Sequence, residues 1–300
     1  MLARFLHESS AVPQLTSTRR AAAARFALAA LALGGAGCAS AESPAGSPED
    51  GPVGSASSAL YGGERDDGAE ANDAIVALRI GDKSPFELCT GTLVAPNVVL
   101  TARHCVSKDT ASEIDCTESG ESRNGAQVGA DVQPRNIHVM LGTAPDFSAQ
   151  PAAKGKVVFR PVGSVLCNTD IAIVVLDRAI PDVKPMAVRL KGLVSPGEEI
   201  RAVGYGENDH KVRIGTRFRK DDVVVLATGP KKRDDGSGRP AIADREFEVG
   251  KSICQGDSGG PAISKRTGAV IGVVSRGVGC SLDFGHIYTT TAGFGALFRE

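Results

Sequence analysis

Residues Cys254-Gln255-Gly256-Asp257-Ser258-Gly259-Gly260-Pro261 decide how this chain is read. A serine between Asp and Gly-Gly presents its hydroxyl on a sharp turn, and the glycines let backbone N–H groups converge where negative charge would develop. The bland alternative is a Gly/Asp/Ser turn before a strand, and the eight-residue run outweighs it. A hydroxyl is a weak nucleophile near neutral pH, so a histidine must take its proton and a carboxylate must orient that histidine. Thr101-Ala102-Arg103-His104-Cys105 supplies the histidine after an apolar strand, whereas His7, His138, His210 and His286 stand in no such frame. Asp170 opens the apolar run Ile171 to Leu176 and falls between His104 and Ser258 in chain order.

Composition agrees with a strand-built scaffold around these residues. The chain has 300 residues, 42% of them hydrophobic but only 4% aromatic and no Trp, so its core must come from Val, Ile, Leu and Ala. Short β-rich runs recur at Ile75 to Ile80, Leu88 to Ala95, Val98 to Ala102, Ile137 to Leu141, Ile171 to Leu176, Ile200 to Tyr205, Val223 to Ala227, Phe247 to Val249 and Val270 to Ser275. None of the intervening segments keeps a 3.6-residue apolar stripe, which argues against crossover helices. Two polar stretches, Ser107 to Gln127 and Gly229 to Asp244, read as surface loops. A net charge of -1 argues against nucleic-acid binding, and no apolar run reaches the 18 residues of a membrane-spanning helix.

The three motifs resemble the Gly-Asp-Ser-Gly-Gly-Pro, Thr-Ala-Ala-His-Cys and Asp-Ile-Ala-Leu-Leu segments of the chymotrypsin-like (trypsin-type) serine endopeptidases, here in a bacterial exported form. Arg103 is the single difference in the histidine segment. The resemblance runs from Leu60 to Thr291. It implies an all-β protein of two six-stranded antiparallel Greek-key barrels with the active site in the cleft between them and a short C-terminal helix. It also implies hydrolysis of protein or peptide substrates by a monomer, through an acyl-enzyme and without cofactor or metal. Ser258 would be the nucleophile, His104 the base and then acid, Asp170 its orienter, and the N–H groups of Gly256 and Ser258 the oxyanion hole. Ser252, Ser275, Gly277 and His286 would shape the primary pocket. Arg276 stands where the family carries Trp, so the usual upper wall of the cleft does not transfer. With Ser rather than Asp at 252, basic side chains are disfavoured, and His286 in place of Gly narrows the pocket or attracts acidic side chains.

The resemblance pairs Cys89 with Cys105 and Cys254 with Cys280. Cys116 and Cys167 remain, and a bond between them would tie together two loops lining the cleft. It also implies a precursor. Leu60-Tyr61-Gly62-Gly63 resembles the family's Ile-Val-Gly-Gly, so cleavage after Ala59 would free a Leu60 amine to pair with Asp257. The rival reading is a catalytically silent homologue that uses the barrels as a protein-binding module.

The first sixty residues point to export. Arg19, Arg20 and Arg25 precede an apolar run from Phe26 to Leu33 and the small-residue exit Gly34-Gly35-Ala36-Gly37-Cys38, which resembles a bacterial lipoprotein signal with Cys38 as the lipid site. The domain reading is 1–37 export signal, 38–59 unfolded tether or propeptide, and 60–300 protease domain, with barrel 1 over about 60–180 and barrel 2 over about 181–300. The protein would be secreted or held at the cell envelope, touching membrane only through a Cys38 lipid.

Overall fold

Runs of Val, Ile, Leu and Thr interrupted by Gly, Pro and Asp become short antiparallel strands, because β-branched side chains pack well on a pleated surface and the turn residues break the ladder. The computed structural model describes residues 60, 62–82, 84–207, 212, 214–233 and 236–299. The expected export signal and tether, Cys38 and the expected cleavage point at Ala59 lie outside the described residues.

After β1 (Glu64–Arg65) come β2 (Ile75–Ile80), β3 (Glu87–Ala95) and β4 (Val98–Thr101). A two-stranded excursion follows, β5 (Ser107–Asp109) with β6 (Val128–Asp131), and then β7 (Ile137–Met140), β8 (Ala153–Phe159) and β9 (Ala172–Leu176). Strands β2, β3, β4, β9, β8 and β7 close into a barrel in that order. The second half supplies β10 (Glu199–Gly204), β11 (Phe218–Thr228), β12 (Glu246–Val249), β13 (Pro261–Ser264), β14 (Val270–Gly277) and β15 (His286–Thr290). These close in the order β11-β10-β13-β14-β15-β12, with β12 returning to β11 and β1 added outside β11. Counted from its own first strand, each barrel therefore runs 1-2-3-6-5-4, the same Greek-key connection used twice without a visible sequence repeat.

Each barrel has its own apolar filling. Val76, Leu78, Leu93, Val99, Val139 and Val174 fill the first, and Ile200, Phe218, Val225, Phe247 and Tyr288 fill the second. Full burial of such a side chain is worth about 1.5 to 3 kcal/mol. Where the barrels meet, Ile75, Ala77 and Met140 of the first pack on Val203, Tyr205 and Ile263 of the second. The segment before β2 was expected with barrel 1, but β1 pairs with β11 of barrel 2. It is fastened there by a buried ion pair, Arg217 Nε to Asp66 Oδ2 at 2.7 Å, while Arg217 also donates to the carbonyls of Asn72 and Ile75. The chain ends in single turns, Phe294 N–H to Thr291 O and Leu297 N–H to Phe294 O, in place of the short C-terminal helix expected. Gly293, at φ +88°, takes the backbone out of the right-handed helical region there.

Candidate active site

Strand β4 ends at Thr101, three residues before His104, and β9 begins two residues after Asp170. Because β4 and β9 are ladder neighbours with Thr101 opposite Ala172, the histidine and the carboxylate emerge side by side from the same end of barrel 1. His104 Nδ1 donates to Asp170 Oδ2 at 2.8 Å, and the His104 backbone N–H donates to Asp170 Oδ1 at 3.0 Å. Ser275 on β14 donates its hydroxyl to Asp170 Oδ2 at 2.7 Å, so barrel 2 reaches across to hold the carboxylate. Asp170 is fully buried and the His104 side chain is 14% exposed.

These bonds set the charges. Burial alone would raise the Asp170 carboxyl, but the His104 charge and the hydrogen bonds from His104 and Ser275 outweigh it and hold the group below the ordinary carboxylate value. Burial alone would likewise lower His104. The charge of Asp170 and its hydrogen bond, helped by Asp109 and Glu87, instead raise the imidazole above its ordinary value. With Nδ1–H committed to Asp170, Nε2 is left as the basic nitrogen facing the cleft.

Ser258 stands on the turn between Cys254 and β13. It lines, together with His104, Ser275, Arg276 and Gly277, a cavity of about 570 Å³ between the barrels. Gly256 has φ +95° and a Cβ there would lie 2.9 Å from Gly206 Cα, so only glycine fits. Among the described residues the N–H groups of Gly256 and Ser258 are committed to no other acceptor. The two polar stretches supply the rim: Asp109, Ser112 and Glu113 from one, Pro240 from the other.

The pocket residues divide. Ser275 and Gly277 line the cavity, whereas Ser252 and His286 are buried and do not. Ile253 faces the cavity instead, its Cδ1 lying 3.6 Å from where a Cβ on Gly277 would stand. His286 donates from Nε2 to Leu282 O at 2.8 Å and accepts at Nδ1 from Ile253 N–H at 3.4 Å. Burial holds its pKa below the ordinary value, so this neutral, doubly committed ring offers no charge to an acidic side chain. Arg276 lines the cavity, but its guanidinium is spent on Glu246 of β12. Nothing in the spacing of residues 246 and 276 marks them as partners, although each is a charge directly flanking an apolar run, Phe247 to Val249 and Val270 to Ser275.

Disulfides join Cys89 to Cys105, Cys116 to Cys167 and Cys254 to Cys280. Cys89, His104 and Cys105 cluster closely enough to hold a metal ion, but both sulfurs are spent in the disulfide. Three disulfides are consistent with export to an oxidising compartment.

Two Greek-key barrels that bring a serine, a histidine and a buried carboxylate to one cleft define a chymotrypsin-like architecture. The trypsin family model matches residues 61–295. The chain is 31% identical to the cercarial protease of Schistosoma mansoni over 200 residues, covering 64% of this chain and 71% of that one. It is 28% identical to a trypsin of Saccharopolyspora erythraea over 225 residues, with 74% and 88% covered, and 27% identical to Trypsin-1 of Astacus astacus over 207 residues, with 65% and 79% covered. The chain belongs to the trypsin family, as a chymotrypsin-like serine endopeptidase.

Proposed function

We propose that Ser258, His104 and Asp170 carry out peptide-bond hydrolysis. Ser258 Oγ bonds to the scissile carbonyl carbon while its proton passes to His104 Nε2; the C–N bond then breaks as that proton goes to the departing amine. Water repeats the sequence on the acyl-enzyme and releases the acid. The N–H groups of Gly256 and Ser258 hold the oxyanion. The observation that carries this reading is the fully buried Asp170 carboxylate accepting from His104 Nδ1 at 2.8 Å, with Ser258 lining the same cavity as His104. The test is labelling by a fluorophosphonate probe together with hydrolysis of a peptide library. Protein cut after Ala59 labels and cleaves, and its Ser258→Ala counterpart does neither. An unlabelled, inactive cut protein would favour the silent binding module.

The primary side-chain preference is apolar and of modest size. Supporting this, the carboxylates that line the cavity, Asp109 and Glu113, belong to its rim, whereas the side chain that faces Gly277 is the apolar Ile253. A cleavage profile dominated by Arg or Lys would refute it.

The protein is made as an exported precursor, lipid-modified at Cys38, and acts as a monomer once cleavage after Ala59 frees the Leu60 amine for Asp257. Support comes from Leu60 buried within the barrel 2 core cluster and from a buried Asp257 whose carboxyl stands at about 7 with no cation beside it among the described residues. N-terminal sequencing of active enzyme decides the cleavage point, and a mature start well away from Leu60 defeats it.

A further inference from the structure

Thr90, the residue after Cys89 on β3, is fully buried and spends every polar atom on the catalytic turn or its support. Its backbone N–H donates to the Ser258 carbonyl at 2.8 Å. Its carbonyl accepts the Thr101 hydroxyl at 2.9 Å, on the strand that leads to His104. Its own hydroxyl accepts from the Tyr205 N–H at 3.1 Å and lies 3.0 Å from the Gly256 carbonyl. An amide can only donate, so the single proton of the Thr90 hydroxyl is free to go to Gly256 O.

Thr90 therefore grips the carbonyls of both residues, 256 and 258, whose amides are assigned to the oxyanion hole. Gly256, at φ +95°, has no side chain to hold its orientation. Its N–H direction depends on how its neighbouring peptide planes are pinned, and the hydroxyl pins the one on its C-terminal side. The surrounding packing leaves little slack: a Cβ on Gly259 would fall 2.1 Å from Thr101 Oγ1 and 2.5 Å from Thr90 O. A glycine or alanine at 90 would keep the backbone bond to Ser258 but lose the bridge from Tyr205 in barrel 2 to Gly256.

We infer that the Thr90 hydroxyl is a positioning residue for the oxyanion site, acting through the Gly256 carbonyl and touching no substrate. The inference rests on the assignment of Ser258 and its neighbouring amides proposed above. Misplacing a donor matters far more in the transition state than in the bound substrate, so its loss should lower kcat and leave KM nearly alone.

The test compares wild type, Thr90→Val, Thr90→Ser and Ser258→Ala, each cut after Ala59. It uses an apolar peptide amide substrate, the matching peptide aldehyde, which adds the Ser258 oxygen to form a hemiacetal, and the corresponding peptide alcohol, which does not. Thr90→Val lowers kcat by about 10- to 100-fold with KM within about twofold. It weakens the aldehyde by a similar factor, leaves the alcohol unchanged, and Thr90→Ser restores most of the rate. Should the valine variant not fold, Thr90→Ala carries the same comparison. A wild-type kcat in the hydroxyl-less variant, or equal weakening of aldehyde and alcohol, overturns the positioning role while the triad reading stands. Wild-type protein that neither hydrolyses the amide nor takes a fluorophosphonate at Ser258 overturns both.

Discussion

Arg276 meets Glu246 in a two-point ion pair, Nη1 to Oε1 at 2.7 Å and Nη2 to Oε2 at 2.8 Å, with the side chains 8% and 0% exposed. Glu246 also accepts from the N–H groups of Asn168 at 3.0 Å and Ala243 at 2.9 Å. The pair thus ties β14, β12, the loop carrying Pro240 and the loop that ends in Asp170. Charges this deeply buried are tolerated only while matched.

Removing one partner strands the other in the interior. Arg276→Met should cost about 3 to 5 kcal/mol in urea unfolding, and Glu246→Leu a similar amount. The double variant should be more stable than either single one, giving a coupling of about 2 kcal/mol or more. Additive losses would show that the two charges do not depend on each other.

The raised His104 pKa fixes a pH dependence. As the proposed base, His104 must be neutral to accept the Ser258 proton, so kcat/KM should rise with pH through its pKa in the free enzyme. Asp170→Asn removes the negative charge that raises it and should move this acid limb to lower pH, with a loss in kcat of about 10⁴-fold. Asp109 and Glu87 are exposed, so added salt should move the limb the same way by a smaller step. A limb unmoved by Asp170→Asn would mean another group controls the rate.

Nine of the strands could be read directly because they are apolar runs bounded by turn residues, and β2 spans the expected Ile75–Ile80. The missed ones break that pattern for physical reasons. Strand β8 contains Lys154, Gly155 and Lys156, and Gly155 is needed because a Cβ would strike the Pro134 carbonyl at 2.5 Å. Strand β13 begins with Pro261 straight after the catalytic turn, and β15 buries His286 and Thr289, polar residues that no periodicity marks as interior. The site was legible in the same uneven way. His104, Asp170 and Ser258 sit in motifs, whereas the Thr90 hydroxyl, the Glu246 carboxylate and Ile253 act through partners distant in sequence, which a single chain does not advertise.

Besides Glu246, which accepts the Asn168 N–H, and Arg103, which donates to Val165 O, a disulfide and a glutamine hold the loop that ends in Asp170. The Cys116–Cys167 disulfide spans 51 residues, and Gln127, whose side chain lies against the Cys167 sulfur, accepts the Leu166 N–H at 2.9 Å while its own backbone N–H donates to Ser164 O at 2.8 Å. Replacing both cysteines by serine should lower stability by up to about 4 kcal/mol on the loop-entropy model. Because the Gln127 bonds persist, kcat/KM measured well below the melting temperature should fall by less than about tenfold, equivalent to less than about 1.4 kcal/mol. Adding Gln127→Ala to the cysteine pair should then lower activity further. A large rate loss from the cysteines alone would mean that the disulfide, not Gln127, sets the position of Asp170.

Asp257 accepts N–H groups from Gly206 at 2.8 Å and Cys254 at 2.9 Å, but burial outweighs them and pushes its carboxyl up to about 7 from an ordinary 3.8. Between those values the folded chain holds a proton that the unfolded chain has released. Stability therefore falls as pH rises across that window, by a total of about 4 kcal/mol, and is flat above it. A Leu60 amine brought against the carboxylate would hold its pKa below the ordinary value and reverse the sign, so that the pair's stabilisation is present above the unfolded pKa and lost on acidification. The measurement is urea unfolding at about pH 4.5 and 7.5, in a Ser258→Ala background that prevents self-cleavage, before and after cutting at Ala59. In the uncut chain Asp257→Asn should flatten the slope and stabilise the fold at the higher pH, whereas in the cut chain the same substitution should destabilise it. Equal slopes in the two forms would exclude pairing between the new amine and Asp257.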